Sequence, residues 1–290
     1  MSNDQQEYFH LYSDGTVRTQ LFNDDSDFIF GMNQAAIISH ACGVRILCIN
    51  LMATHFHVLL YGTQKDCQGF ASRYAKRLKF SLPAAKGKGR IELSMDKLVS
   101  ETETLSVFAY VIRNCTSAGY AYLPQFYPWG PGNIFFRPEE TFAHGHLVSD
   151  MSVRCRREHF GTRLDIPMDW EYDDDGMIMT KFWIDWARVN TLFGSPHRFL
   201  AFLYQKKDLA DSIKARCRHR LLEDLSQKEL RTMVGELSVS MIGKRTADCS
   251  LQEKTLVARK IWRSTTGYSL RSIARALKVD PEIMEVLLGN

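Results

Sequence analysis

The stretch MATHFHVLLYG, Met52–Gly62, sets two histidines at the front of an apolar run, Val58-Leu59-Leu60-Tyr61. A short run rich in β-branched, apolar and aromatic residues and closed by glycine reads as a strand. Strand residues i and i+2 share a face. His55 and His57 therefore project together, and Phe56 turns to the opposite side. Two neutral imidazoles at this spacing can share one divalent cation. A pair at a strand edge, with one ring hydrogen-bonded and the other in water, would have the same spacing. The segment AHGHL, with His144 and His146, repeats the spacing in a glycine-containing stretch without a strand or partner, and it is read as having no site.

Outward from this strand, VRILCINLMA (residues 44–53) is a second β-type run, so the two form a hairpin or lie as neighbours. EYFHLYSDG (7–15) reads as a strand closed by an Asp-Gly turn. DDSDFIFGMNQAAIISHACG (24–43) has Asp and Ser ahead of a helical apolar pattern and Gly43 as its stop. DCQGFASRYAKRLKFSL (66–82) is a basic helix, and PAAKGKGRIELS (83–94) is a Lys/Gly loop running into an extended piece. SETETLSVFAYVIRNCTSAGY (100–120) opens on capping chemistry and runs as a helix to Gly119. LPQFYPWGPGN (123–133) is a turn region. Beyond it, SVRCRREHFGTRLDIP (152–167) is basic and irregular, DWEYDDDGMI (169–178) is an acidic turn, and residues 180–225 read as two or three helices.

The chain has 290 residues, 45% hydrophobic and 24% charged, an ordinary globular balance far from disorder. A formal net charge of +4 permits a nucleic-acid partner without requiring one. Seven dispersed cysteines without a CxxC pair exclude a zinc ribbon and a disulfide framework and fit a reducing cytoplasm. The polar start MSNDQQEYFH carries no signal-peptide pattern, and no apolar run approaches a membrane span. The expected localisation is therefore cytoplasmic, with no membrane partner.

The segment INLMATHFHVLLYG resembles the histidine strand of the REP-associated tyrosine transposases, relatives of the insertion-sequence HUH single-strand DNA transposases. Further pieces follow in the family's order: YFHLYSDG is similar to its first strand and LFNDDSDFIFGMNQAAI to the entry of its first helix. FASRYAKRLKF is similar to its basic helix, and FAYVIRNCTSAGYAYLPQFYPWG to its tyrosine helix and the turn beyond. The resemblance covers residues 7–136. It implies an α+β fold, a small antiparallel sheet with helices on one face (ferredoxin/RRM-like HUH domain), over residues 1–140. A helical accessory region (141–247) and a helix-turn-helix-like tail (248–290) complete the expected organisation. The departures lie beside the motif: Ala53 and Thr54 stand for the family's Pro and Asn, and Cys115 and Ser117 for its later Pro and Arg.

The family carries its nucleophile in a YIxxN helix, and here that motif is Tyr110-Val111-Ile112-Arg113-Asn114. Helix residues i and i+4 share a face, so Tyr110 and Asn114 can both address the histidine strand. The resemblance implies Tyr110 as nucleophile and His55, His57 and Asn114 as ligands of Mg²⁺ or Mn²⁺. An amide oxygen suits such an ion. Tyr74, on the basic helix, competes as nucleophile but has Leu78 at i+4. Arg73, Lys76, Arg77, Lys79 and Arg113 are expected on DNA backbone. Tyr122, Phe126, Tyr127 and Trp129 serve equally as base-stacking surfaces or as core. In the tail, Ile273, Ala274 and Leu277 face inward, Lys278-Val279-Asp280 forms a turn and Pro281 opens the next helix. Lys260, Arg263, Arg271 and Arg275 give a basic rim expected to contact DNA backbone, whereas Glu282 and Glu285 oppose groove reading and a plain structural helix pair is the alternative. The expected activity is nicking and transfer of single-stranded or hairpin DNA through a 5′-phosphotyrosine, by a monomer or homodimer. The alternative is a domesticated protein of the same fold that binds DNA without cutting it.

Overall fold

The computed structural model describes residues 5–13, 20–85, 91–117, 122–205, 227–264 and 270–288. Strands β1 (Glu7–Ser13), β2 (Arg45–Leu51), β3 (Phe56–Gly62) and β4 (Leu93–Leu98) form an antiparallel sheet in the order β2-β3-β1-β4. Helix α1 (Asp25–Cys42) joins β1 to β2, and α2 (Gln64–Ser81) joins β3 to β4. β3 is thus inserted between β1 and β2, the connectivity of a split β-α-β unit. The chain is α+β, as the sequence implies.

Local chemistry sets the element ends. The Asp24 side chain accepts from the Asp27 amide to open α1, and Gly43, at φ 66°, closes it in the left-handed conformation. Thr63 opens α2 in the same way, accepting from the Asp66 amide. The Asp14-Gly15 turn, the Lys/Gly loop at 86–90 and the helix stop at Gly119 fall outside the described residues.

The expectation of helices on one face is corrected. α1 and α2 pack against each other and cover the side of the sheet that carries Phe56. Helix α3 (Glu101–Ser117) lies across β2 and β3 on the side that carries His57. The reason is legible in RILCINL, which is buried from Ile46 onward at both strand parities. A strand apolar on both faces needs cover on both.

Residues 122–205 add a two-stranded sheet, β5 (His146–Leu147) with β6 (Glu171–Tyr172), and helices α4 (Val153–His159), α5 (Trp186–Phe193) and α6 (Pro196–Gln205). The stretch read as basic and irregular therefore contains a helix, α4, opened by Ser152 accepting from the Cys155 amide. This region packs on the first sheet. The Asp185 amide donates to Ile46 O at 2.8 Å, and the Asn33 side chain bonds both Gly176 O and the Ile178 amide. Phe108 meets Phe193 and Phe199 at ring-centroid distances of 5.1 and 6.0 Å. The chain accordingly divides into compact units at Met1–Lys214 and Ala215–Asn290, away from the expected boundaries at 140 and 247.

The second unit contains α7 (Gln227–Ile242), α8 (Leu251–Ser264), α9 (Leu270–Leu277) and α10 (Pro281–Leu288). Leu230, Val234, Val257, Ile261, Ile273 and Leu277 form its buried core. Ile273, Ala274 and Leu277 face inward as expected, and Lys278, at φ 54°, makes the turn into α10. Residues 206–226, expected to be helical, lie outside the described residues. Among the described residues no helix is long and apolar enough to cross a membrane.

Candidate active site

The face of the sheet under α3 carries an unusual density of buried polar side chains. β3 contributes His57, 3% exposed, and the residues just before the strand contribute His55. β1 contributes His10 and Tyr12, both fully buried. Register explains the assembly: His57 is opposite Tyr12 on one side and Asn50 of β2 on the other, while His10 is opposite Asp96 of β4. Alternation then turns all of these toward α3, and Phe9, Leu11, Phe56 and Val58 the other way.

Three contacts order the imidazoles. His10 Nε2 lies 3.0 Å from His57 Nδ1, with the rings stacked at 5.2 Å. His55 Nδ1 lies 2.9 Å from Thr54 Oγ1, so the threonine that departs from the family pattern holds the first histidine. His55 Nε2 lies 3.2 Å from Asn114 Oδ1. The His55 and His57 rings are perpendicular, with centroids 5.2 Å apart. Beyond His10, the Tyr12 hydroxyl donates to Asp96 Oδ2 at 3.2 Å.

α3 brings Tyr110 and Asn114 to this cluster together. The Tyr110 ring lies edge-on to His57 at 5.2 Å and to His10 at 6.1 Å. Asn50 anchors the helix from below, its Nδ2 donating to Ile112 O at 3.4 Å. Burial is close to complete, with Tyr110 5% and Asn114 6% exposed. Burial, with His10 and His55 beside it, holds the His57 imidazole well below its ordinary pKa, so the ring is neutral at physiological pH.

Donor chemistry bears on a metal. Among the described residues no three His, Cys, Asp or Glu side chains form a metal-holding group, so an ion here would rest on two imidazoles and an amide. Adjacent ligands in an octahedral shell with bonds of about 2.1 Å stand roughly 3 Å apart. The 3.2 Å between His55 Nε2 and Asn114 Oδ1 matches that separation. Asn50 Oδ1 is buried and has no hydrogen-bond partner among the described residues, which adds an oxygen donor on the same face.

The remaining expected residues separate. Tyr74 is fully buried on the opposite face, donates to Gly31 O at 3.1 Å and packs on Phe56 and Phe70. Burial pushes its phenol well above the ordinary value. Arg73, Lys76, Arg77 and Lys79 share α2 with Tyr74, so they lie on the side of the sheet away from the histidines. Arg113 is on α3 and donates to Ala109 O. Tyr127 and Trp129 are packing residues: the Tyr127 hydroxyl donates to Leu51 O, and Trp129 stacks on Phe28 at 4.8 Å. Tyr122 and Phe126 stay exposed. His144 and His146 sit at the surface beside Glu171 and Asp174, and the expectation of no strand and no partner is corrected: His146 opens β5, which pairs with β6. Arg275 is exposed on α9; the side chains of Arg263, Arg271 and Glu285 lie outside the described residues.

Sequence reasoning passed over His10, Tyr12, Asn50 and Asp96. The available signal was a polar residue at alternate positions of otherwise apolar strands, as in FHLYS. Comparison with family models, with curated proteins and with solved structures returns no match.

Proposed function

We propose that the chain is a metal-dependent single-strand DNA nicking and strand-transfer enzyme of the HUH tyrosine type, with Tyr110 as nucleophile. The observation that carries this reading is the convergence of Tyr110 and Asn114, one turn apart on α3, with His55 and His57 beneath them. The β-α-β-β-α-β connectivity, with the histidines at a central strand, supports it further.

His55, His57 and Asn114 would hold Mg²⁺ or Mn²⁺, and the ion supplies polarisation of the scissile phosphate and charge neutralisation there. The chain's own residues do the rest. The Tyr110 oxygen, after losing its proton, forms a bond to phosphorus. The bond from phosphorus to the 3′ oxygen breaks, and that oxygen leaves with the electron pair and takes up a proton as a free 3′-OH. Tyr110 then carries the 5′-phosphate. The bond energy is kept, so attack by another 3′-OH releases the tyrosine and rejoins the strand without ATP. His10 lies within hydrogen-bond distance of His57 Nδ1, which would leave Nε2 as the nitrogen for the ion.

The test is incubation of the full-length protein with single-stranded and hairpin oligonucleotides and Mn²⁺, followed by denaturing electrophoresis. A covalent adduct that is lost in Tyr110→Phe is expected. Absence of any adduct, with oligonucleotide binding intact, gives the second reading, a non-cleaving DNA-binding protein of the same fold. The burial of Tyr110 and His57 favours that alternative.

A further inference from the structure

Asn50 is a buried polar residue to which the chemistry above gives no part. It is 1% exposed, on a strand otherwise apolar and buried from Ile46 to Leu51. Burying an amide costs free energy unless its donor and its acceptor both find partners. The donor end has one: Nδ2 donates to Ile112 O on α3 at 3.4 Å. A carbonyl oxygen only accepts, so the amide must present its NH₂ group to Ile112 and turn its own oxygen away. That oxygen, Oδ1, is buried and bonds nothing among the described residues. An acceptor so placed calls for a donor or a cation.

Register sets Asn50 among the histidines. It is opposite His57 across the β2–β3 pair, and side chains directly opposite share a face with Cβ atoms about 5 Å apart. The hairpin closes just beyond, where Met52 and His55 exchange backbone bonds at 2.7 and 3.3 Å, so His55 is the diagonal neighbour of Asn50. In the order β2-β3-β1, His57 has Asn50 on one side and His10 on the other. Its Nδ1 is turned to His10, and the two nitrogens of an imidazole point broadly apart, so Nε2 is turned away from β1. On α3, Ile112 lies between Tyr110 and Asn114, and the bond to its carbonyl holds Asn50 against the turn that carries both.

We propose that Asn50 Oδ1 is a fourth protein ligand of the divalent ion, beside His55, His57 and Asn114. It rests on the metal assignment made above. The family resemblance implies the other three ligands and nothing at this position. A hard amide oxygen suits Mg²⁺ or Mn²⁺, and a second one moves the shell further from the softer, imidazole-rich sets that favour Zn²⁺. With four protein ligands in a shell of about six, about two positions stay open for water or for substrate oxygens.

The experiment uses Mn²⁺ alone on the full-length protein, without DNA. Electron paramagnetic resonance of the free ion gives the affinity, and line broadening of the bound ion in ¹⁷O-enriched water counts its inner-sphere waters. The native protein should retain about two waters, and about three or more overturns the proposal without any substitution. Asn50→Leu roughly keeps the volume, and it should admit a further water and weaken Mn²⁺ about tenfold or more. Asn50→Asp loses the NH₂ donor to Ile112 but keeps an oxygen, and it should bind Mn²⁺ at least as tightly as the native protein. A purely structural tie to α3 would make the Leu and Asp variants fail alike, which overturns the proposal. His55→Ala is the control. Mn²⁺ lost there but kept in Asn50→Leu sinks the fourth ligand alone. Mn²⁺ kept in His55→Ala puts the ion elsewhere and sinks the metal assignment as well.

Discussion

At the scale of single residues, the environments of the two tyrosines differ sharply. Tyr110 faces two imidazoles, whereas Tyr74 is enclosed by phenylalanines with its hydroxyl committed to a backbone carbonyl. Tyr74→Phe should leave adduct formation intact and cost about 1 kcal/mol of stability for the lost hydrogen bond, read by denaturant unfolding. Adduct loss in that variant would move the nucleophile. His57 carries a pH prediction. Its neighbours are His10 and Tyr12 on β1, Tyr110 on α3 and His55. Burial lowers its folded pKa well below the ordinary 6.5, so between the two values the unfolded chain binds more protons than the folded one. Stability is therefore present above about pH 6.5 and falls as the pH drops below it. Thermal melts across that window should show a shallower acid loss in His57→Asn than in the native protein. Parallel curves would mean that another group sets the slope.

At the scale of elements, α1 supports more than the sheet. Its buried face extends to a loop nearly half the chain away: Asn33 Nδ2 donates to Gly176 O at 2.9 Å, and Asn33 Oδ1 accepts from the Ile178 amide at 2.7 Å. Asn33→Ala strips both bonds and leaves a buried amide without its acceptor. A loss of about 2–4 kcal/mol is expected in denaturant unfolding. A loss below about 0.5 kcal/mol, the scale of an ordinary surface substitution, would show that the loop is not clamped by this residue. The basic helix α2 changes its meaning at this scale. Its spacing reads as a basic face, but with Tyr74 and Phe70 turned into the core that face points away from the histidines.

At the scale of the whole molecule, the division at Lys214 and Ala215 decides where the chain can be cut. The sequence suggests removing the tail from residue 248. That cut would leave α7 behind without the partners of Leu230 and Val234, which pack on Val257, Ile261 and Ile273. A protein ending at 214 should remain monodisperse and melt cooperatively, while one ending at 247 should aggregate or bind a hydrophobic dye. Light scattering of the two truncations checks this, and equal behaviour would count against α7 belonging to the second unit. Because Tyr110, His55, His57 and Asn114 all lie in the first unit, the 1–214 fragment is also expected to form the DNA adduct if the proposed chemistry holds.

The sequence by itself determined most elements of the first sheet and its helices, while α4 and the β5–β6 pair escaped it. The turn and cap residues Asp24, Gly43 and Thr63 act locally, and strand alternation with helix i,i+4 spacing is a property of consecutive residues. His55, His57, Tyr110 and Asn114 were singled out by the family resemblance, with which that local spacing agrees. Tertiary structure alone decided the partners. His10 reaches His57 through the β1–β3 register, and Asp96 joins through β1–β4, pairings between residues 47 and 86 positions apart that no local pattern encodes. The same holds for the cover on both faces of the sheet and for the bond from Gln34 to Phe160 O. Long-range register and packing are chosen by burial summed over the whole core, so they appear only when the chain is closed on itself.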